Sequence, residues 1–319
     1  MSESHSVSKP VATGNKSPLR HIRYEHLVAG VSGGVSATLC LHPLDLVKIR
    51  LQVNDGGGRG PLYKGFIDAT RSVIKNDGWR GLYQGAAPNV TGNGMAWGLY
   101  FFSYNIIKAW MQDDSDQPLG ADRHLLAGAV AGLATLTVTN PVWVVKTRMC
   151  LQYSGPHVTT TQTHKYTGMI DAFLKIWRYE GISGLYKGYL PGVIGVSHGA
   201  LQFMAYEELK KRRSRYFNQP VNQKLNSYEY LIMASISKIF AASATYPYQV
   251  VRSRLQNHNT IGQYNGAIDI IRKIIRFEGI KGFYKGLLPS IIRVTPACAI
   301  TFVVYENVVH YLLPKNNTD

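Results

Sequence analysis

One sequence string occurs three times along this chain, at intervals of about a hundred residues. Each copy has the form Pro-x-x-x-x-basic-x-basic, and the copies begin at Pro43, Pro141 and Pro247. The prolines are separated by 98 and 106 residues, so one unit is repeated three times. A repeat of this length predicts a single body built from three similar units rather than three unrelated domains.

A second string follows each copy and fixes the register of the repeats. It reads acidic-Gly-x-x-Gly-x-Tyr-x-Gly and spans residues 77–85, 180–188 and 278–286. The two strings together predict repeats at residues 22–115, 116–218 and 219–313. The Ser-, Lys- and Pro-rich residues 1–21 are expected to form a disordered tail without a signal peptide, and residues 314–319 a short C-terminal tail.

Each repeat contains two segments long enough to cross about 30 Å of hydrocarbon and a shorter amphipathic segment between them. The long segments are predicted at residues 24–51, 88–112, 123–152, 190–213, 227–256 and 289–313. The short helices are predicted near residues 65–76, 168–178 and 265–277.

Hydropathy alone favours a different interpretation, a soluble helical protein. The mean hydropathy is −0.10, and no segment has 18 uninterrupted apolar residues. However, polar residues recur at matched places in every repeat. A membrane bundle that encloses water can turn such side chains inward, which reconciles the low hydropathy with membrane spanning.

The charge of the chain favours an anionic partner. Its 35 basic and 19 acidic residues give a formal charge of +16, and 20 of the basic residues lie in the three long connections, one in each repeat, taken together. This distribution is typical of one face of a membrane protein. We find no nucleic-acid-binding motif, no enzyme signature, and no metal or disulfide pattern around Cys40, Cys150 and Cys298, so neither nucleic acid nor a resident cofactor is expected.

The triplicated strings resemble the signature of the mitochondrial carrier family, and the resemblance covers residues 22–313. It implies an all-α membrane protein of the inner mitochondrial membrane, with six transmembrane helices around a central cavity and three matrix helices. Both termini would face the intermembrane space, and a single substrate site would be reached alternately from each side. The expected form is a monomer in contact with cardiolipin.

Trp143 stands where most carriers of this family have an acid, a departure shared with the branch that moves nucleotides, dinucleotides and folates. Strings such as residues 41–50, 197–207 and 244–252 are most similar to folate and FAD carriers. The resemblance therefore implies FAD or tetrahydrofolate as cargo. The alternatives are a pyrimidine nucleotide or NAD as cargo, or a carrier-like receptor that has lost transport.

The resemblance also implies a gate of paired residues on the matrix side. Carried over to this chain, the gate contacts are Asp45 with Lys146, Trp143 with Arg252, and Gln249 with Lys48, braced by Gln52 and Gln256. Cys150 occupies the third bracing position and lacks a comparable hydrogen-bonding group.

A second gate is implied on the cytoplasmic side. Its positions are Asn105 with Lys210, Glu207 with Val309, and Glu306 with Lys108, with Tyr104, Tyr206 and Tyr305 as braces. Each gate keeps one ion pair, and a partly exposed pair contributes about 0–1 kcal/mol. We therefore expect a low barrier that permits net uniport as well as exchange; the alternative is that polar packing replaces the lost pairs without kinetic effect.

Two cations are the leading candidates for substrate binding. A guanidinium within a membrane span is costly unless it meets an anion, and Arg293 matches a substrate-contact position of the family. Its alternative role is a structural pair with an acid. Lys238, near the middle of its helix, would add a second cation; its alternative is a lysine bonded to carbonyls or extended toward the membrane surface.

The remaining candidates would contact a planar ring. Asn93 offers donor and acceptor groups, and Gly195 with Val196 would form a flat surface. Trp97 is either a stacking face or ordinary packing, and His198 and Gln202 would also line the cavity.

Overall fold

The computed structural model describes residues 24–55, 62–112, 120–152, 165–218, 220, 226–257 and 264–312. Throughout these ranges the regular structure is helical, and no β-strand occurs in them. A long, a short and a second long helical segment follow one another in each repeat. This order confirms the predicted all-α fold class, while the expected tails at residues 1–21 and 314–319 lie outside the described ranges.

The described helices are numbered in chain order. They are α1 (Tyr24–Val53), α2 (Phe66–Gly81), α3 (Ala86–Gln112), α4 (Ala121–Cys150), α5 (Met169–Leu185), α6 (Tyr189–Phe217), α7 (Ser227–Gln256), α8 (Ala267–Phe277), α9 (Leu287–Ile292) and α10 (Val294–Leu312). A 3₁₀ turn, Ile280–Tyr284, follows α8. We call α1, α4 and α7 the proline helices, because each contains the motif proline, and we call α3, α6 and α9–α10 the partner helices.

The helices differ from the predicted segments in three places. The short helices α2 and α5 continue past residues 76 and 178, because the backbone turns at Gly78 (φ 69°) and Gly181 (φ 68°) and then resumes. The last long segment is divided at Arg293. Pro296 explains this division, since it has no N–H to donate to the carbonyl of Ile292.

Each short helix packs against the C-terminal half of the proline helix in its own repeat. The contacts form three similar apolar clusters, which contain the buried pairs Leu46 and Val73, Val144 and Ile176, and Val250 and Ile274. Burying side chains of this size stabilises the fold by about 1.5–3 kcal/mol each. We call this part of the bundle the short-helix end and the opposite part the far end.

The second basic residue of each proline string joins neighbouring repeats. Arg50 bonds Asp77 of its own repeat at 3.0 Å and donates to the carbonyl of Cys150 at 3.1 Å. Arg148 pairs with Glu180 and donates to the carbonyl of Gln256 at 3.1 Å. Arg254 pairs with Glu278 and donates to the carbonyl of Gln52 at 3.0 Å. The three contacts run from repeat one to two, two to three, and three to one.

The residue before each motif proline holds the start of the following partner helix. These three residues are fully buried, and each side chain bonds a backbone carbonyl just before that helix. The bonds are His42 to Gln84 at 2.8 Å, Asn140 to Leu185 at 2.9 Å, and Tyr246 to Lys285 at 3.2 Å. A buried polar side chain is thereby satisfied while two helices are fixed together.

The outer surface of the bundle carries large apolar side chains. Phe102, Leu190 and Phe302 are 65%, 76% and 64% exposed. By length and hydropathy, the helical segments at Asp122–Cys150 and Ile280–Leu312 each suffice to cross a membrane. Soluble proteins rarely expose apolar surface on this scale, so the surface is better suited to lipid than to water.

Candidate functional site

The proline helices contact one another at the short-helix end through residues that the sequence assigns to the matrix gate. The Lys146 ammonium lies 3.7 Å from the Asp45 carboxylate, which joins α4 to α1. The Lys48 ammonium donates to the side-chain oxygen of Gln249 at 2.9 Å, which joins α1 to α7. Both expected contacts are therefore present, and their opening and closing during transport stays a prediction.

Two glutamines strengthen this end from one turn further along. Gln52 donates to the Tyr246 hydroxyl at 3.0 Å and accepts from Ser253 at 2.8 Å. Gln256 accepts from Thr147 at 2.8 Å. In the third position the Cys150 thiol contacts the carbonyl of Gln84 at 3.3 Å, a weaker bond than an amide would make.

The expected contact between Trp143 and Arg252 is wrong. The cation over the Trp143 ring is Lys146, which lies 5.2 Å from the ring centroid. Arg252 instead donates to the side-chain oxygen of Asn140 at 3.1 Å. Asn140 lies on α4, about one turn before Trp143, so the Arg252 guanidinium of α7 reaches this helix but bonds the amide oxygen there.

Arg293 was expected to await an anionic substrate, with a structural ion pair as its alternative role. In the structure the Arg293 guanidinium forms an ion pair with Asp45, so the alternative describes this state. The sequence argument considered acids in the same helix, whereas Asp45 lies on α1, 248 positions away. The side chain remains 37% exposed, so part of the guanidinium stays accessible.

The short-helix end carries more positive than negative charge. Four cations lie there with Asp45: Lys48, Lys146, Arg252 and Arg293. Two of them contact Asp45, and the other two are bonded to the neutral amides of Gln249 and Asn140. This group holds three more positive charges than negative ones, which favours binding of a multiply charged anion.

Sequence reasoning missed a buried polar group beside Asp45. Asn89 of α3 donates to Asp45 and to His42 Nδ1, each at 3.1 Å, and accepts from Asn93 at 3.3 Å. Because His42 Nδ1 accepts, its Nε2 must donate to the carbonyl of Gln84. The sequence does contain a signal for this group. The position four residues after the last motif glycine holds the polar Asn89 in repeat one but Gly192 in repeat two.

The flat surface predicted at Gly195 and Val196 is occupied by protein. A Cβ atom placed on Gly195 would lie 2.7 Å from the ring of Tyr248, and one on Gly132 would lie 3.0 Å from Val196. Gly195 therefore packs against α7 and Val196 against α4. The expected role of this surface in ring binding is corrected accordingly.

The other substrate candidates differ in their contacts. Lys238 is half-buried on α7, and among the described residues no hydrogen-bond or ion-pair partner is found for it. His198 bonds the Thr245 hydroxyl at 3.0 Å. Trp97 is 63% exposed and stacks on Phe101, with ring centroids 5.8 Å apart, which is the packing role considered for it.

The predicted cytoplasmic gate residues lie apart at the far end. Asn105 and Glu306 are exposed, and within the described ranges no ion pair joins Glu306 to Lys108 and no hydrogen bond joins Asn105 to Lys210. The other residues assigned to this gate, half-buried in this structure, are Glu207, Tyr206 and Tyr305.

Tyr104 bonds His124 of the neighbouring helix α4 at 2.8 Å. The polar contacts described above between proline helices all lie at the short-helix end. Within the described ranges, the bundle is therefore closed at the short-helix end and open at the far end.

Comparison with known proteins assigns the chain to a family. The family model described as mitochondrial carrier protein matches three times, at residues 22–115, 117–217 and 223–316. Folate transporter 1, chloroplastic, of Arabidopsis thaliana is 41% identical over 300 residues, which cover 91% of this chain and 96% of the transporter.

Two further relatives are named for other transported molecules. Nicotinamide adenine dinucleotide transporter 2, mitochondrial, of Arabidopsis thaliana is 38% identical over 89% of this chain and 78% of its own length. The mitochondrial FAD carrier protein of Saccharomyces cerevisiae is 33% identical over 90% of this chain and 97% of its own length. With three family matches that cover nearly every residue of the bundle, the chain belongs to the mitochondrial carrier family.

Proposed function

We propose that this carrier moves FAD or a reduced folate such as tetrahydrofolate across the inner mitochondrial membrane into the matrix. The observation that carries this proposal is the excess of three positive charges around Asp45, at the closed end of the bundle. We call this group, Lys48, Lys146, Arg252 and Arg293 with Asp45, the charged floor. It attracts an anion with two or more charges, and both FAD and tetrahydrofolate are anions of this kind that carry a planar ring.

The relatives support the same class of cargo. A folate transporter and an FAD carrier, each matched over at least 90% of this chain, are named for molecules that combine a fused ring with acidic groups. The cargo is a substrate rather than a cofactor, because it would enter and leave through the same cavity.

The orientation of the chain is part of the proposal. The short-helix end would face the matrix and both termini the intermembrane space, so that this structure is the state open to the intermembrane space. The concentration of basic residues in the connections at the short-helix end supports this orientation. We further propose that the carrier acts as a monomer by alternating access and contacts cardiolipin.

NAD is the second candidate cargo. The relative named as a nicotinamide adenine dinucleotide transporter is 38% identical over 293 residues, not far below the folate transporter. NAD also combines planar rings with a pyrophosphate, so the charge of the floor does not separate it from FAD. Pyrimidine nucleotides and a receptor without transport are tested by the same experiment.

Uptake into liposomes containing the purified protein tests the proposal. Labelled FAD, tetrahydrofolate, NAD and UTP are offered separately, with Arg293→Gln as the site variant. Arg272 is exposed on α8, outside the cavity. Arg272→Gln removes the same charge there and is the matched control.

We expect saturable uptake of FAD or tetrahydrofolate that falls at least tenfold in Arg293→Gln and not in the control. Uptake of only NAD or UTP would overturn the proposed cargo. Uptake of none by a folded protein would favour the receptor.

A further inference from the structure

A cavity of about 310 Å³ lies between α6 and α7, toward the far end from the gate. Its lining residues come from both helices and are Gly199, Gln202, Phe203, Tyr206, Ala234 and Ser237. Pockets that hold whole drug-sized molecules have volumes of about 300–1,000 Å³. This cavity is therefore large enough for one fused ring system but not for an entire dinucleotide.

The lining combines aromatic walls with two polar side chains that lack a hydrogen-bond partner among the described residues. Phe203 is 60% exposed, so much of its ring is open to contact. Neither the amide of Gln202 nor the hydroxyl of Tyr206 hydrogen-bonds to any residue in the described part of the chain. The amide provides a donor and an acceptor side by side, which matches the edge of a heteroaromatic ring.

The cavity follows from the packing of one helical face. Gly195, Gly199, Gln202 and Tyr206 are spaced by four, three and four residues, so they share one side of α6. Tyr248 covers this face at Gly195, whereas a Cβ atom on Gly199 would meet no atom within 4 Å. The face therefore opens one turn beyond the surface where the sequence predicts ring binding.

A cation lies beside this opening. Lys238 follows Ser237 and is four residues from Ala234, so it shares the side of α7 that reaches the cavity. It is half-buried, and no described side chain neutralises it. An ammonium held within a membrane span without a protein partner is costly unless an anion or water satisfies it.

The cavity and the charged floor are separated along the bundle axis. Gly195 and Arg293 occupy equivalent positions, seven residues after the last motif glycine of their repeats. Gln202 lies seven residues beyond Gly195, which is about 10 Å of helix. A ligand that reaches both places must carry its ring about 10 Å from an anionic group.

We propose that the cavity between α6 and α7 binds the fused heteroaromatic ring of the cargo, and that Lys238 binds an anionic group next to that ring. This inference rests on the proposed function, because it presumes a cargo with both a ring and acidic groups. Phe203 and Tyr206 contact the ring faces, and Gln202 bonds the ring edge. The acidic end then extends toward Arg293.

Filling the cavity tests this assignment. Gly199→Phe and Ala234→Leu each place apolar atoms in it, and Gly30→Phe is the matched control, because Gly30 also has no atom within 4 Å of an added Cβ. Isothermal titration of the purified carrier with FAD, tetrahydrofolate and NAD measures the affinity for ring-bearing ligands. Inhibition of cargo uptake by inorganic pyrophosphate reports the binding of an anion without a ring.

We expect the affinity for at least one ring-bearing ligand to fall tenfold or more in both filled variants and to stay unchanged in Gly30→Phe. The potency of pyrophosphate as an inhibitor should stay within twofold of wild type in the filled variants and fall at least fivefold in Lys238→Gln. If NAD alone behaves in this way, the cargo proposal fails while the ring cavity stands.

Three results would overturn the ring cavity itself. They are unchanged affinity of every ring-bearing ligand in the filled variants, an equal loss of pyrophosphate inhibition, and a wild-type carrier that binds no ring-bearing ligand.

Discussion

Asp45 and Arg293 form an ion pair between the first proline helix and the break in the last partner helix. The same carboxylate lies 3.7 Å from Lys146, its expected partner in the matrix gate. One acid is thus shared by a gate cation and by the leading candidate for substrate binding. An anion that reaches Arg293 must compete with Asp45, so binding of cargo and the strength of the gate are linked through this carboxylate.

Asp45→Asn should increase the affinity for anionic cargo. The change removes the competing carboxylate and leaves Arg293 free, so we expect the Kd measured by titration in detergent to fall about fivefold to tenfold, or about 1–1.4 kcal/mol. Lys146→Gln is the control, since it removes the other cationic partner of Asp45 and leaves the Asp45–Arg293 pair in place. Equal affinities in the two variants would argue against competition at Arg293.

Trp143→Asp should reduce net uptake relative to exchange. An acid at this position would lie near Lys146, whose ammonium is now 5.2 Å from the indole centroid, and would add an ion pair to the gate. We expect uptake into empty liposomes to fall at least fivefold, with exchange against internal cargo much less affected. Trp143→Leu keeps the position apolar and controls for loss of the ring. An unchanged net rate in the Asp variant would contradict a gate barrier limited by missing pairs.

Gly195→Ala should destabilise the carrier through a clash with one side chain. The added Cβ atom would lie 2.7 Å from the Tyr248 ring, and overpacking of this kind costs about 1–3 kcal/mol. The thermal midpoint measured in detergent should therefore fall, and the double variant with Tyr248→Ala should recover part of the loss. Gly199→Ala, where nothing lies within 4 Å, should leave the midpoint nearly unchanged. A failure of Tyr248→Ala to relieve the effect would show that the strain lies elsewhere.

Glu180 should make the stability of the carrier sensitive to acid. Burial would raise the pKa of this carboxyl, but Arg148 and Lys187 outweigh burial and lower its pKa from 4.5 to about 2. A carboxylate with a lowered pKa stabilises the folded state above its unfolded pKa, and this stabilisation is lost as the pH falls from about 4.5 toward 2.

The matched measurement is the thermal midpoint of wild type and Glu180→Gln between pH 7 and pH 3. The variant should be less stable at pH 7, by about 1–2 kcal/mol because solvent partly screens the half-buried Glu180, and should show a flatter pH dependence. Parallel pH curves for the two proteins would rule out Glu180 as a source of the acid sensitivity.

The repeat strings were sufficient to predict the fold class, because their spacing could be read from the chain. The two gate contacts of Asp45 and Lys48 were implied by the resemblance to the carrier family. The pairing of Arg293 with Asp45 could not be predicted, because it depends on how far a flexible side chain reaches.

The prediction of a ring-binding surface at Gly195 failed for a related reason. A glycine leaves space, but the sequence does not say whether a neighbouring helix fills it, and here Tyr248 does so. The partner of Trp143 was missed because Arg252 of α7 bonds Asn140, about one turn before Trp143 on α4. In each case a general helix register was correct, and the outcome was decided by one side chain from an adjacent helix.

The contacts of Arg50, Arg148 and Arg254 with the carbonyls of Cys150, Gln256 and Gln52 pass from each repeat to the next and from the last back to the first. Such a closed series has no beginning, so the order in which the chain visits the repeats is not what holds them together. A circularly permuted chain that starts at the second repeat would keep all three contacts, whereas two repeats alone would leave at least one buried guanidinium without its carbonyl. Completeness of the set of three, rather than the position of the termini, is thus what this architecture requires.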